Sequence, residues 1–245
     1  MPGFARVLAR LFTIQAAWNY ERMQGIGFGH AAEPALRALE GGADGERYRA
    51  ALARQSRFFN SHPYFAGLAL GASVRGELDG EPPEKIARLR EALCGPLGSL
   101  GDRLFWSSWL PVCAAVGVVL VAFGARAWAA LAFLVLYNAA HLACRVWALR
   151  AGWRHGMQVV VALTSPALRV STRLATPLVG MAVGAALPIA FAWQLRGAPP
   201  GTLVASGAGA VLFAMVLRLA GGRISGVTLA AAVLGATWLM GVLWR

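Results

Sequence analysis

The amino-acid sequence predicts an all-α, polytopic integral membrane protein with about five transmembrane helices and re-entrant hairpins, preceded by a cytoplasm-facing helical region. Three observations carry this expectation. Of the 245 residues, 58% are hydrophobic and only 14% charged, whereas an average soluble domain has about 25% charged residues. All 11 carboxylates lie at or before Asp102, so Leu104–Arg245 holds ten arginines and no acid. Those arginines separate uncharged runs of spanning length: Leu104–Ala125, Ala127–Cys144, Leu174–Leu195, Gly197–Leu217 and Ile224–Trp244, of 22, 18, 22, 21 and 21 residues. A helix needs about 20 mostly apolar residues to cross the hydrocarbon. The sequence thus divides into residues 1–103, helical and mixed in charge, and residues 104–245, transmembrane.

The net charge is +12, but the distribution of its bases excludes a nucleic-acid-binding domain as its source. Phosphate-binding surfaces cluster Lys and Arg on a solvated face. Here Lys85 is the sole lysine, and the later arginines punctuate apolar runs.

Within residues 1–103, Phe4–Trp18 places Phe4, Val7, Leu8, Leu11, Phe12 and Trp18 at helical spacing, with Arg6 and Arg10 opposite. Such a helix either lies in the headgroup plane or docks on the rest of the protein; both readings are open. Gly25-x-Gly27-x-Gly29 departs from a dinucleotide fingerprint, since His30 stands at the third glycine position and no strand precedes it. A loop at 41–45 introduces a basic helix, Glu46–Phe59. Asn60-Ser61-His62-Pro63 stops that helix, because proline drives the residue before it out of helical geometry. Phe65–Val74 is short and apolar, as for one limb of a dipping hairpin. Pro83 suits the first turn of a helix to about Leu93, and Gly95-Pro96 is expected to end it, leaving Gly95–Asp102 as a glycine loop.

Arginine placement sets the orientation. Arg126 stands alone after the first span, and Arg145, Arg150, Arg154, Arg169 and Arg173 follow the second. Then come Arg196, the pair Arg218 and Arg223, and Arg245. The arginine-rich segments belong in the cytoplasm, which puts the N-terminus inside and the C-terminus outside. His155–Leu168, with Pro166, is too short to span and reads as re-entrant or interfacial. No segment has the layout of a signal peptide. Cys94, Cys113 and Cys144 show no paired spacing, so neither a disulfide framework nor a metal site is expected.

Few residues offer chemistry. Polar groups at membrane depth are costly, and they pair or line cavities. Asp102, the last acid, either pairs with Arg103 or Arg145, caps a helix beginning near Leu104, or lines a solute path. His141 and Arg145, four residues apart with Asn138 nearby, share a helix face and suit helix packing with a snorkelling arginine. Asn60 and His62 offer neutral hydrogen-bonding groups of the kind that hold sugar hydroxyls. The four histidines share no metal-ligand spacing, and no paired carboxylates or nucleophile–base ordering is visible. No catalytic residue and no cofactor is expected.

Four blocks, taken together, resemble one family. They are Trp18-Asn19-Tyr20-Glu21-Arg22-Met23-Gln24-Gly25-Ile26-Gly27-Phe28, Phe58-Phe59-Asn60-Ser61-His62-Pro63-Tyr64, Gly95-Pro96-Leu97-Gly98-Ser99-Leu100-Gly101-Asp102-Arg103-Leu104-Phe105-Trp106, and the stretch from Tyr137-Asn138 to Gly156-Met157. The family is the IID membrane subunit of the mannose/fructose/sorbose class of the phosphoenolpyruvate-dependent sugar phosphotransferase system. The resemblance covers about residues 14–165. It implies a bacterial cytoplasmic-membrane subunit that pairs with a IIC subunit to form the sugar-translocating unit, a hetero-oligomer embedded in lipid. Separate IIA and IIB components would relay phosphate, with IIB phosphorylating the incoming hexose. The resemblance makes Asn60, His62 and Asp102 candidates for the translocation path. It makes Gly95, Pro96, Gly98 and Gly101, with Asn138 and Arg145, candidates for a structural loop or for contact with IIC.

Two departures stand out. His62 occupies a position where the family usually has glutamine, which adds titration near neutral pH. The C-terminal third looks shorter than usual, with the brief turn Arg196–Gly201 in place of a polar insertion. These departures motivate a rival expectation: a non-transporting regulatory or interaction subunit of an incomplete system.

Overall fold

The structure, a computed structural model, describes residues 1–197 together with Gly201, Met215 and Leu219. The expected spans Gly197–Leu217 and Ile224–Trp244, and the side on which the C-terminus emerges, lie outside the described residues. The chain divides into two compact units, Met1–Ala190 and Phe191–Arg245. Nearly all of the described residues belong to the first unit.

Among the described residues the fold is all-helical. Helix α1 (Phe4–Leu11) buries Val7 and Leu11 and leaves Arg6 in solvent, as its periodicity predicts. It docks on α2 (Gly25–Leu36), where Arg10 reaches Glu33 at 2.6 Å. Of the two readings left open for α1, docking on the protein is the arrangement observed. Glu33 also pairs with Arg37 and accepts from the Tyr48 hydroxyl of α3 (Glu46–Gln55) at 3.2 Å. Three donors around one carboxylate hold its pKa below the usual carboxylate range, although burial pushes the other way.

The centre of the unit is α4 (Ala66–Asp79), whose first nine residues, 66–74, are all buried. It is too short to span, and it continues five residues past the apolar run Phe65–Val74. It packs chiefly against α7 (Arg126–His155), and the approach is close enough to require glycine. A Cβ on Gly71 would sit 2.6 Å from the Leu149 carbonyl and the Trp153 amide. Small residues at such crossings let helix backbones meet.

Among the described residues three helical stretches are long and apolar enough to cross a membrane: Pro83–Ala122, Arg126–Gln158 and Pro166–Gln194, of 40, 33 and 29 residues. The first is one continuous helical rod. It comprises α5 (Pro83–Gly101), a π-helical segment (Asp102–Trp109) and α6 (Leu110–Ala122). The expected stop at Gly95-Pro96, and with it the glycine loop Gly95–Asp102, is therefore corrected. Gly95, Pro96, Gly98 and Gly101 are helical. The rule that ends a helix before proline rests partly on a clash with the Cβ of the preceding residue, and Gly95 has none. The bond lost at Pro96 is a cost that membrane helices tolerate when neighbouring structure covers the freed groups. The charge border at Asp102–Arg103 falls inside this rod.

The second stretch also outruns its apolar core. Gly124 turns the chain at φ 87°, α7 begins at Arg126, and Arg145, Arg150 and Arg154 belong to the helix and not to the segment after it. Gly156, at φ 54°, ends α7. A short α8 (Val160–Leu163) follows, and Pro166 opens α9 (Pro166–Gln194) at a position that needs no amide donor. His155–Leu168, expected as a re-entrant or interfacial piece too short to span, runs from the end of α7 through α8 into the first residues of α9. The exposed Trp128, Leu131, Leu134, Val135 and Leu142 on α7 form an apolar surface suited to lipid.

Two buried polar clamps hold α3, one against the rod and one against α4. Arg90 of α5 donates to the carbonyls of Arg54, Gln55 and Arg57 at 2.5, 3.1 and 3.3 Å, and lies 4.8 Å from the Phe28 ring. It thereby adds a donor to carbonyls at and just beyond the end of α3, where the helical ladder stops; that of Arg54 also accepts the Arg57 amide at 3.2 Å. Glu77 of α4 accepts from Arg54 at 2.5 Å and from Gln55 at 2.9 Å, and Gln55 in turn takes the Ser73 hydroxyl at 3.0 Å.

Candidate functional site

The non-helical segment Asn60–Pro63, between α3 and α4, is held from both sides. Gln24 donates its side-chain amide to the Ser61 carbonyl at 2.6 Å and its backbone N–H to the Phe59 carbonyl at 2.9 Å. The Gln24 side-chain oxygen accepts the Ser61 amide at 3.4 Å. Across from it runs the last part of α5. On that face the glycines at 95, 98 and 101 recur every three residues and leave a trough.

The result is a polar cleft of about 510 Å³, lined by Asn60, His62, Gly95, Gly98 and Asp102 with Gln15, Gln24, Ser99, Phe58 and Trp106. Five residues singled out from the sequence therefore meet in one place. Gly101 lies directly behind: a Cβ there would come 2.7 Å from His62 Nδ1 and closer still to its Cβ and Cγ. Pro96 shares α5 but does not line the cleft.

His62 is buried, at 2% exposure. Its ring stacks on Phe105 at 5.6 Å and 19°, and meets Tyr64 and Trp106 edge-on at 4.7 and 5.1 Å. Nδ1 accepts the Tyr64 amide at 3.3 Å, which leaves the proton on Nε2, and Nε2 finds no partner among the described residues. Burial, with the charge of Arg145 adding to it, depresses the imidazole pKa from 6.5 to about 4. The titration near neutral pH expected for this histidine is thus displaced into acid by desolvation. At pH 7 it is a neutral donor.

Asp102 is exposed on the cleft and takes part in no ion pair among the described residues. The expected pairing with Arg103 or Arg145, and the expected cap near Leu104, are corrected. Arg145 is buried beneath Tyr64, donating to the Leu11 carbonyl at 2.5 Å with its guanidinium 4.8 Å from Phe12 and 5.0 Å from Tyr64. The Leu11 carbonyl, which also accepts the Ile14 amide at 3.4 Å, and two ring faces hold the guanidinium, while Arg145 Nε finds no partner among the described residues. Arg103 turns to the Thr172 carbonyl at 3.5 Å. No helix begins at Leu104 for Asp102 to cap, since the rod runs through it.

Asn138 and Arg145 lie apart from the cleft, on α7. Asn138 bonds His141 at 2.9 Å, and the His141 ring lies 4.8 Å from Tyr64. Tyr64, whose hydroxyl meets that of Tyr137 at 2.9 Å, has His62 on one side and this α7 group on the other. Sequence reasoning missed Gln15, Gln24, Ser99 and Trp106 as cleft residues. Gln24, Ser99 and Trp106 stood inside the family-like blocks, and that was the available signal. The π-helical segment beside the cleft has the type of distortion frequent at functional sites.

Chemically the cleft combines amide, hydroxyl and carboxylate groups with the half-exposed faces of Phe58 and Trp106. That set binds polar ligands or partner side chains. Among the described residues no three His, Cys, Asp or Glu side chains gather to hold a metal.

Long apolar helices, the first of them bordering a polar cleft, define the class: a membrane protein. The particular family follows from comparison. Residues 3–192 match the IID component of the mannose/fructose/sorbose family of the phosphotransferase system (PTS), and the chain belongs to that family. It is 32% identical over 162 residues to the PTS system mannose-specific EIID component of Escherichia coli, covering 63% of this chain and 56% of that one. It is 30% identical over 174 residues to the fructose permease IID component of Bacillus subtilis, covering 69% and 62%. The matched stretch thus spans less than two thirds of these relatives' own length. Among solved structures, a chain of the mannose transporter ManYZ in complex with a microcin superimposes with TM-score 0.59 at 31% identity, covering 74% of this chain and 67% of that one. A second structure, of a protein described only as a membrane protein, has TM-score 0.73 at 23% identity over 97% and 93% and shows the shared fold.

Proposed function

We propose that this chain is the IID half of a sugar-translocating unit in the bacterial cytoplasmic membrane, with its N-terminal region inside. A IIC subunit completes the path, IIA and IIB relay phosphate from phosphoenolpyruvate, and IIB phosphorylates the hexose as it emerges. The observation that carries this reading is the family match over residues 3–192, which encloses the whole polar cleft. In this reading Asn60, His62 and Asp102 face the sugar path. Gly95, Pro96, Gly98 and Gly101 present a low helix face to the partner subunit. The cleft itself offers ligand-binding groups and no assembled acid–base pair, which suits a subunit that leaves phosphoryl transfer to others.

One observation favours a second reading. His62 stands where the resembled family usually has glutamine, a departure that suits a regulatory or interaction subunit of an incomplete system, one that retains this core without transporting. Co-expression with the cognate IIC and IIB, followed by affinity purification of the tagged chain in mild detergent, separates the two. The transport reading predicts a stoichiometric complex with IIC. Retention of IIA or IIB without any IIC would reject it in favour of the regulatory one.

A further inference from the structure

Two cavities away from the polar cleft meet along α7. The first, about 350 Å³, is apolar and lies among Phe65, Phe105, Trp109, Cys144 and Leu168. The second, about 630 Å³, runs along the outer face of α7. Its one end is Leu142, Val146 and Trp147, and its other end is Arg150, Arg154 and His155. Ala143 and Trp147 line both cavities, so the two adjoin along this helix.

The tract changes character in one direction, from hydrocarbon to cation. Its three bases are exposed, and neither Arg150 nor Arg154 enters an ion pair among the described residues. The Arg150 guanidinium rests 5.5 Å from the Phe4 ring, which leaves its charge uncompensated. The last carboxylate of the sequence, Asp102, belongs to the other cleft. At 1.5 Å per residue the helix from Ala140 to Arg154 covers about 21 Å, about half of a bilayer measured with its headgroups. The tract therefore has the length of one leaflet.

We propose that this tract is a site for one anionic phospholipid, with an acyl chain in the apolar cavity and the headgroup phosphate on Arg150, Arg154 and His155. The α7 C-terminus carries partial negative charge that disfavours an anion, and the two full charges of Arg150 and Arg154 outweigh it. A zwitterionic lipid would fill the cavity but bring no net charge to the arginines. Free phosphate would neutralise the arginines but leave the cavity empty. The site is independent of the sugar path: it shares no lining residue with the polar cleft.

The test uses the full chain, purified in detergent, delipidated and offered equal phosphatidylglycerol and phosphatidylcholine, with bound lipid read by native mass spectrometry. One phosphatidylglycerol should be retained in clear preference. Arg150→Gln with Arg154→Gln should lower its retention about thirty-fold, to the level of phosphatidylcholine, as expected for the loss of two charges at a membrane surface. Both arginines are exposed, so this variant should unfold at the same temperature as the parent. Ala143→Phe, at the junction of the cavities, should lower retention of both lipids. Millimolar inorganic phosphate should not displace the bound lipid. Equal retention of the two lipids by the parent would overturn the proposal. Undiminished phosphatidylglycerol binding in the arginine variant, or displacement by inorganic phosphate, would overturn it as well.

Discussion

Replacing Gly101 by alanine adds one methyl group at the most crowded point of the cleft wall. The new Cβ would stand 2.7 Å from His62 Nδ1 and inside contact distance of its Cβ and Cγ. The imidazole has little room to retreat: Phe105 lies on one face, with Tyr64, Trp106 and Phe65 around its edge at 4.7, 5.1 and 6.4 Å. Overpacking of this kind costs about 1–3 kcal/mol, while exchanging glycine for alanine within a helix returns up to about 1 kcal/mol. The net expectation is a loss of about 1–2 kcal/mol, together with a displaced His62. Gly95 is the internal control. It lies on the same helix and the same cleft, but a Cβ there meets nothing within 4 Å. Gly95→Ala should therefore be neutral or slightly stabilising. Thermal unfolding of both variants in one detergent reads the contrast, and sugar uptake in the assembled permease reads its consequence. Gly101→Ala should unfold several degrees below Gly95→Ala and transport poorly. Equal melting temperatures for the two would refute the claim that His62 is wedged against Gly101.

Three further outcomes are expected. Because His62 has its pKa depressed from 6.5 to about 4, the unfolded state binds the extra proton first. Its contribution to stability, on the order of 3 kcal/mol, is complete above about pH 6.5 and is lost as the pH falls toward 4; His62→Gln should remove that slope, and an unchanged profile between pH 4 and 6.5 would count against the buried neutral imidazole. Arg90→Met should leave the carbonyls of Arg54, Gln55 and Arg57 without this donor, lowering stability by at least about 3 kcal/mol, as checked by proteolytic susceptibility of the folded chain in detergent. Asp102→Asn removes a charge that supports no ion pair among the described residues, so the melting temperature should stay within about 1 °C while uptake falls; a large loss of stability would show that Asp102 is structural.

Much of the architecture was legible because hydrocarbon excludes charge. The acid-free stretch after Asp102 marked α6, α7 and α9, and the amphipathic pattern marked α1. What escaped were features in which one residue overrides a local rule. Gly95 lets the helix continue through Pro96, so the expected loop is a rod. Arg90, in a run of charged residues that reads as solvated, instead bonds the end of α3. Arg145, Arg150 and Arg154 prolong α7 beyond its apolar core: Arg145 does not snorkel as expected but is buried on the Leu11 carbonyl, while Arg150 and Arg154 carry their charge into solvent. The candidate site was legible in part. Asn60, His62, Gly95, Gly98 and Asp102 converge as their membership of the family-like blocks suggested. Gln24 and Trp106 were in those blocks too, but their roles depend on pairings 37 residues away in sequence for Gln24 and on a ring contact for Trp106. The partners of Asp102 and Arg145 were misjudged because opposite charge in the sequence says nothing about which side of Tyr64 each side chain reaches.

The measurement that bears most directly on the central claim is phosphoenolpyruvate-dependent sugar uptake into vesicles reconstituted with the cognate IIC, the soluble phosphocarriers and this chain. Uptake that requires the chain, and that Asp102→Asn diminishes without dissociating the complex, is the predicted result. Uptake at the same rate when the chain is left out would contradict the account.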